Sequence, residues 1–227
     1  MQPSNTLSLT HVMRPPRIAP KDGEKPPLLL LLHGVGSHER DLFGLADALD
    51  GRFFVVSARA PLPHGGGFGW YPVDFTANGP VADETRAKTS RALLQTFIGE
   101  VTAAYGLDAN RVYLTGFSQG AIMSLYLALH SPETVAGVVA MSGRLIEATL
   151  IERAEDARLA GLPILAVHGT DDRVLTIAEG RRIQTELSRL PVDLTYHEYD
   201  MAHEVSRESL AAVTSFLTAR LDSPPKL

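Results

Sequence analysis

Residues 111–129 read RVYLTGFSQGAIMSLYLAL: an apolar, β-branched run, a serine boxed between Gly116 and Gly120, and a second apolar run of helical length. A loop serine ordinarily signals turn chemistry or a helix cap. Here the flanking runs predict a strand that turns sharply into a helix with Ser118 at the turn. A residue on such a turn sits in strained backbone, and neighbours two positions away crowd it unless they lack a β-carbon. The spacing Gly-x-Ser-x-Gly arises by chance in about 5–10% of chains of this length, so the rest of the chain must decide its meaning.

Working outward, strand-like and helix-like segments alternate. LSLTHVM (7–13) reads as a first strand, LLLLLH (28–33) as a short, fully buried one, and FFVVSARA (53–60) as a third. ERDLFGLADALD (39–50) spaces Leu42, Leu45, Ala46 and Leu49 along one helical face. A long glycine-rich polar loop, PLPHGGGFGWYPVDFTANGP (61–80), precedes an amphipathic helix over 81–106 that stops at Gly106. RVYLTG (111–116), VAGVVAMS (135–142) and LPILAVHG (162–169) predict three more buried strands. VDLTYHEYD (192–200) adds another, between helices IAEGRRIQTELSRL (177–190) and ESLAAVTSFLTARL (208–221). Such alternation means one α/β domain over residues 1–227, with a mostly parallel sheet, helices on both faces and short flexible tails at about 1–5 and 222–227.

Composition sets the outer bounds. The chain has 227 residues, 44% hydrophobic and 21% charged, with a formal net charge of -5 and no cysteine. The acidic balance, with no cluster of Lys or Arg longer than Arg181-Arg182, argues against a nucleic-acid surface. The lack of cysteine removes disulfides, thiol nucleophiles and thiolate metal sites. MQPSNTLSLTHVMRPP has neither the basic nor the apolar region of a signal peptide, and PPLLLLL (26–32) is far short of the ~20 residues of a spanning helix. A soluble, cytoplasmic protein without stable membrane insertion is expected.

In open α/β sheets ligands bind at the carboxyl ends of the strands. His33-Gly34-Val35-Gly36 follows LLLLL, Ser118 follows RVYLTG, Arg144 follows MSG, Asp171-Asp172 follow ILAVHG, and His203 follows VDLTYHEYD. A serine, a carboxylate and a histidine at three strand ends, in that order, form the set that nucleophilic acyl transfer needs. Neutral imidazole takes the serine proton, and the carboxylate fixes the imidazole tautomer and stabilises the cation that forms. A helix starting at Gln119 adds a free N–H and a positive dipole end where an oxyanion would develop.

LLLLHGVGSHERDL, GFSQGA, HGTDDRV and MAHEVS together resemble the α/β-hydrolase superfamily, and within it the phospholipase/carboxylesterase family that includes the acyl-protein thioesterases. The matching stretches run from about residue 28 to 206 and so cover most of the chain. The resemblance implies an α/β-hydrolase fold without a large lid, since 143–161, where one would be inserted, is short. It implies Ser118 as nucleophile, Asp172 as acid with Asp171 its neighbour, His203 as base, and the backbone N–H groups of Val35 and Gln119 as oxyanion hole. It departs from the family at RVLT (173–176), where two valine-like residues and a proline are usual, and at Asp200, where a glycine is usual.

The implied activity is hydrolysis of short- to medium-chain carboxylic esters, with an acyl-protein thioesterase or lysophospholipase as alternative and a non-catalytic scaffold as the reading from another class. The implied partner is a small-molecule ester. No cofactor or metal is called for, and a homodimer is left open. Trp70 and Tyr71, on an exposed loop, and Arg144, a strand-end charge able to meet an anionic group, are the candidate substrate-binding residues. His33 and His168 read as structural, bonding loop backbone. HGGGFG (64–69) lacks the spacing of a phosphate loop and leads into no helix.

Overall fold

The computed structural model describes residues 7–21, 23–76 and 79–222. In chain order the first elements are β1 (His11–Arg14), β2 (Pro27–Leu32), a 3-10 helix (Leu42–Ala48) and β3 (Phe54–Ala58). Two hairpins follow, β4 (Leu62–His64) with β5 (Gly67–Gly69), and β6 (Val73–Thr76) with β7 (Gly79–Ala82). Then come α1 (Glu84–Ala104), β8 (Asp108–Phe117), α2 (Gln119–His130), β9 (Gly137–Met141), α3 (Glu147–Ile151) and α4 (Asp156–Leu159). The chain ends with β10 (Pro163–Gly169), α5 (Ile177–Leu187), β11 (Asp193–Tyr199) and α6 (Arg207–Asp222).

Seven strands form one sheet in the order β1-β3-β2-β8-β9-β10-β11. Within this sheet, among the described residues, only the β1–β3 pair is antiparallel. The leucine run of β2 shows why: Leu28, Leu30 and Leu32 face a core built with α1, α2 and α5, while Leu29 and Leu31 face a second core with α6 and the 3-10 helix. A strand apolar on both sides can only lie at the centre of a sheet covered on both faces. This is the fold expected, with the elbow strand β8 next to β2.

Three local readings change. Within residues 39–50 the helix is a 3-10 helix, Leu42–Ala48, rather than an α-helix; Gly44 inside it weakens α propensity, and seven residues are too few to recover it by packing. Leu42, Ala46 and Leu49 are nevertheless buried as the periodicity required. The segment 61–80 is not a loop but carries the two hairpins; Gly65 and Gly66, at φ 53° and 86°, make the two-residue turn that suits a right-twisted ribbon. Helix α1 begins at Glu84, capped by Asp83, whose carboxylate accepts from the Arg86 N–H.

The segment 143–161 folds as α3 and α4, with α3 packed on α2 and the Ala154 N–H bonded to the Leu129 carbonyl, and builds no large lid. Of the tails, Asp222 ends α6, and the rest of 1–5 and 222–227 lies outside the described residues. No helix among the described residues is long and apolar enough to cross a membrane.

Candidate active site

Ser118 stands between β8 and α2 with φ 53° and ψ -118°, a conformation L-residues rarely adopt. The strain is held in place from both sides: the Ser118 N–H donates to the Met141 carbonyl on β9, and its own carbonyl starts the helix by accepting from Ile122. A β-carbon on Gly116 would overlap the backbone of Gly120, and one on Gly120 would overlap the Leu32 carbonyl of β2. Both glycines therefore serve a close approach of backbone to backbone.

His203, in the turn between β11 and α6, bridges two other strand ends. Its Nε2 lies 2.9 Å from Ser118 Oγ and its Nδ1 2.6 Å from Asp172 Oδ2. Asp172 Oδ1 accepts from the Val174 and Leu175 N–H groups at 2.8 and 2.9 Å, so the carboxylate is both the turn residue of its own loop and the partner of His203. With Nδ1–H donated to the buried carboxylate, Nε2 is left to accept from the serine hydroxyl. Asp171, the other candidate, is exposed. His168 donates from Nε2 to the Leu175 carbonyl at 2.7 Å and sits 3.5 Å from Asp172 Oδ2, closing the acid loop from below.

The Val35 and Gln119 N–H groups have no carbonyl partner among the described residues. What holds them is more elaborate than the sequence suggests. The Gln119 side chain accepts from the Trp70 N–H and donates to the Tyr71 carbonyl, both at 2.7 Å. The Trp70 indole donates to the His33 carbonyl at 2.9 Å, and Ser90 Oγ donates to the Trp70 carbonyl. His33 accepts from the Ala60 N–H at Nε2 and donates from Nδ1 to the Gly34 carbonyl; burial pushes its pKa down, which suits this neutral role.

Trp70 is thus fully buried rather than on an exposed loop. A large apolar ring with one donor is better satisfied between α1, α2 and the β2 exit than in water, and it braces the site instead of lining it.

A second brace lies on the other side of the Val35 loop. Gly36 and Ser37 pair with Phe68 of β5, the Arg59 guanidinium stacks 4.5 Å from the Phe68 ring centroid, and Arg59 grips Glu39 with two 2.7 Å bonds. The Arg59 bond holds the Glu39 carboxyl at a pKa of about 2 against an ordinary 4.5. A depressed carboxylate stabilises the fold above its unfolded pKa and loses that contribution as pH falls to about 2. Glu39→Gln is expected to destabilise by about 1–3 kcal/mol near neutrality. Paired thermal melts should show the gap between the two proteins constant above pH 4.5 and closing towards pH 2; a gap as wide at pH 2 as at pH 7 refutes the assignment.

Beside Ser118 opens a narrow cleft with about 40 Å³ of free volume. Its wall is mostly apolar, from Val35, Ile122, Val174 and Leu175, with Tyr71, Gln119 and Arg144 as polar members besides Ser118 itself. Burial pushes the Tyr71 phenol up, and the nearby Arg144 charge opposes the shift. On the far side of His203 lies a second, wider cavity of about 260 Å³, lined by Asp41, Leu42, Phe117, His203, Glu204 and others.

Gln119's side chain and the Glu39–Arg59 pair escaped sequence reasoning. Their partners lie 48 and 20 residues away, and no local spacing marks them.

The sequence profile of the phospholipase/carboxylesterase family matches residues 13–221. Acyl-protein thioesterase 1 of Neurospora crassa is 26% identical over 230 residues, covering 92% of each chain. Esterase YpfH of Escherichia coli K12 is 32% identical over 192 residues, 81% of this chain and 78% of that one. Among solved structures, esterase PE8 superposes with a TM-score of 0.79 at 29% identity, covering 93% of this chain and 98% of its own. Sheet order, elbow and profile agree, and the chain belongs to the phospholipase/carboxylesterase family.

Proposed function

We propose that the protein is a serine carboxylesterase acting on short acyl groups through an acyl-enzyme intermediate. Ser118 Oγ attacks the ester carbonyl as His203 Nε2 takes its proton, while Asp172 holds the imidazole tautomer and stabilises the imidazolium. The Val35 and Gln119 N–H groups, unpaired and fixed by their braces, receive the charge that develops on the carbonyl oxygen. His203 then returns the proton to the leaving alcohol. Water, activated by the same histidine, attacks the acyl-serine and releases the acid.

The observation that carries this reading is the unbroken path from Ser118 Oγ through His203 to Asp172, at 2.9 and 2.6 Å, beside a cleft of small volume. A fluorophosphonate probe should label the protein once, on Ser118, and abolish hydrolysis of p-nitrophenyl butyrate. Absence of label would return the fold to a non-catalytic scaffold. Across a chain-length series, turnover should peak between acetate and butyrate. A steep rise towards long chains would instead favour the lysophospholipase reading or the thioesterase reading, the latter being the activity named for the Neurospora relative.

A further inference from the structure

Arg144 is a cation with no protein partner at the wall of the cleft that holds Ser118. Several other half-buried arginines among the described residues are answered by the protein: Arg52 holds Asp50 and Asp222, Arg59 holds Glu39, Arg153 holds Asp156, and Arg111 donates to the Leu221 carbonyl. Arg144 makes no hydrogen bond or ion pair among the described residues. The carboxylates that could answer it are engaged elsewhere. Glu84 accepts from the Glu147 and Ala148 N–H groups, and Asp172 accepts from His203, Val174 and Leu175.

The backbone brings it there by a constrained turn. Ser142, fully buried at the end of β9, takes φ 48°. Gly143 follows so close to α2 that a β-carbon would stand 2.8 Å from that of Ala121. The chain is thereby directed across the elbow helix and delivers Arg144 to the cleft. A guanidinium left unpaired in an apolar wall is poised for an anion, and a planar carboxylate matches its fork of donors. The Tyr71 phenol, on the same wall, has no protein acceptor among the described residues and can donate to the same group.

We propose that Arg144 makes this enzyme selective for esters whose acyl part ends in a second carboxylate, the half-esters of short dicarboxylic acids. The proposal rests on the hydrolase reading above. The acyl assignment follows from where the proton goes. His203 must protonate the leaving alcohol, and His203 lines the wider cavity, whose Asp41 and Glu204 are exposed carboxylates that repel an anionic alcohol. The narrow cleft with Arg144 is left for the acyl group. A short acyl chain bonded to Ser118 runs along this cleft, whose lining includes both Ser118 and Arg144. In the reaction Ser118 Oγ bonds to the ester carbonyl carbon, the alkoxide leaves with the proton from His203, and water releases the dicarboxylic acid. The distal carboxylate stays ionised on Arg144 throughout.

The test compares monoethyl succinate with ethyl butyrate, equal in acyl carbon count, by acid release at constant pH. The wild-type enzyme should favour the succinate in kcat/KM by about 10- to 100-fold, mainly through KM. Arg144→Gln should reduce that ratio by the same factor, and Arg144→Lys should recover part of it, because a point charge replaces a bidentate fork. A wild-type preference for butyrate, or a ratio unmoved in Arg144→Gln, overturns the selectivity proposal alone. Failure of the wild type to turn over either ester or p-nitrophenyl acetate overturns the hydrolase reading, and this proposal with it.

Discussion

Ser118→Ala is expected to lower kcat on p-nitrophenyl butyrate by about ten-thousand- to a million-fold while leaving the fold intact. The size follows from how the three side chains depend on one another. Without the hydroxyl, His203 has no nucleophile to activate, and the Asp172–His203 bond orients a base with nothing to deprotonate. What survives is binding and the two oxyanion donors, worth a residual acceleration over water but no acyl-enzyme. The fold should tolerate the change because, among the described residues, the hydroxyl bonds His203 alone, and alanine at φ 53° is no more strained than serine. Stability should move by less than about 1 kcal/mol. Release of p-nitrophenolate and a thermal melt measure the two quantities. A folded variant keeping a tenth of wild-type turnover would end the assignment of Ser118.

Gly120→Ala should do the reverse and destroy the fold rather than the chemistry. Its β-carbon would overlap the Leu32 carbonyl and press on that of His33, and both obstacles are backbone at the exit of the central strand β2. No rotamer relieves such a clash, so α2 must move away from the sheet across the largest buried cluster of the molecule. A loss of about 4 kcal/mol or more is expected, comparable to the whole stability of many domains. Denaturant unfolding, or failure to recover soluble protein, reads the effect. Gly99→Ala is the matched control: it lies exposed in α1 with nothing within 4 Å of the added carbon, and should stabilise by up to about 1 kcal/mol. Equal behaviour of the two variants would refute the close-approach account of Gly120.

The features legible in the sequence were those encoded by local spacing. The two-faced leucine run placed β2 at the sheet centre, and the glycines around Ser118 marked the turn. Residue type and strand order nominated Ser118, His203 and an acid at Asp171 or Asp172; the family resemblance chose Asp172, and the fold sets Ser118, His203 and Asp172 at 2.9 and 2.6 Å along one path. Other features depended on partners distant in the chain. Trp70 looked exposed because its neighbours are glycines and a proline, yet its indole finds a carbonyl 37 residues upstream. The hairpins in 62–82 were hidden because glycine-rich segments lack the apolar alternation that identifies strands. Arg144 was visible as a strand-end charge, but its lack of a counter-ion emerges only once every nearby carboxylate has been assigned a bond.

The Gln119 side chain has a further consequence, for the order of folding. It joins the elbow to Trp70 and Tyr71 across 49 and 48 residues, and His203 reaches Ser118 across 85. Closing loops of that length is entropically slow, whereas helices such as α1 form from local contacts. Secondary structure can therefore be largely complete in a nascent chain that still lacks both oxyanion donors and base. The site is completed with the tertiary fold rather than with its helices, because Ser118 meets its base only when a residue 85 positions further on has been placed.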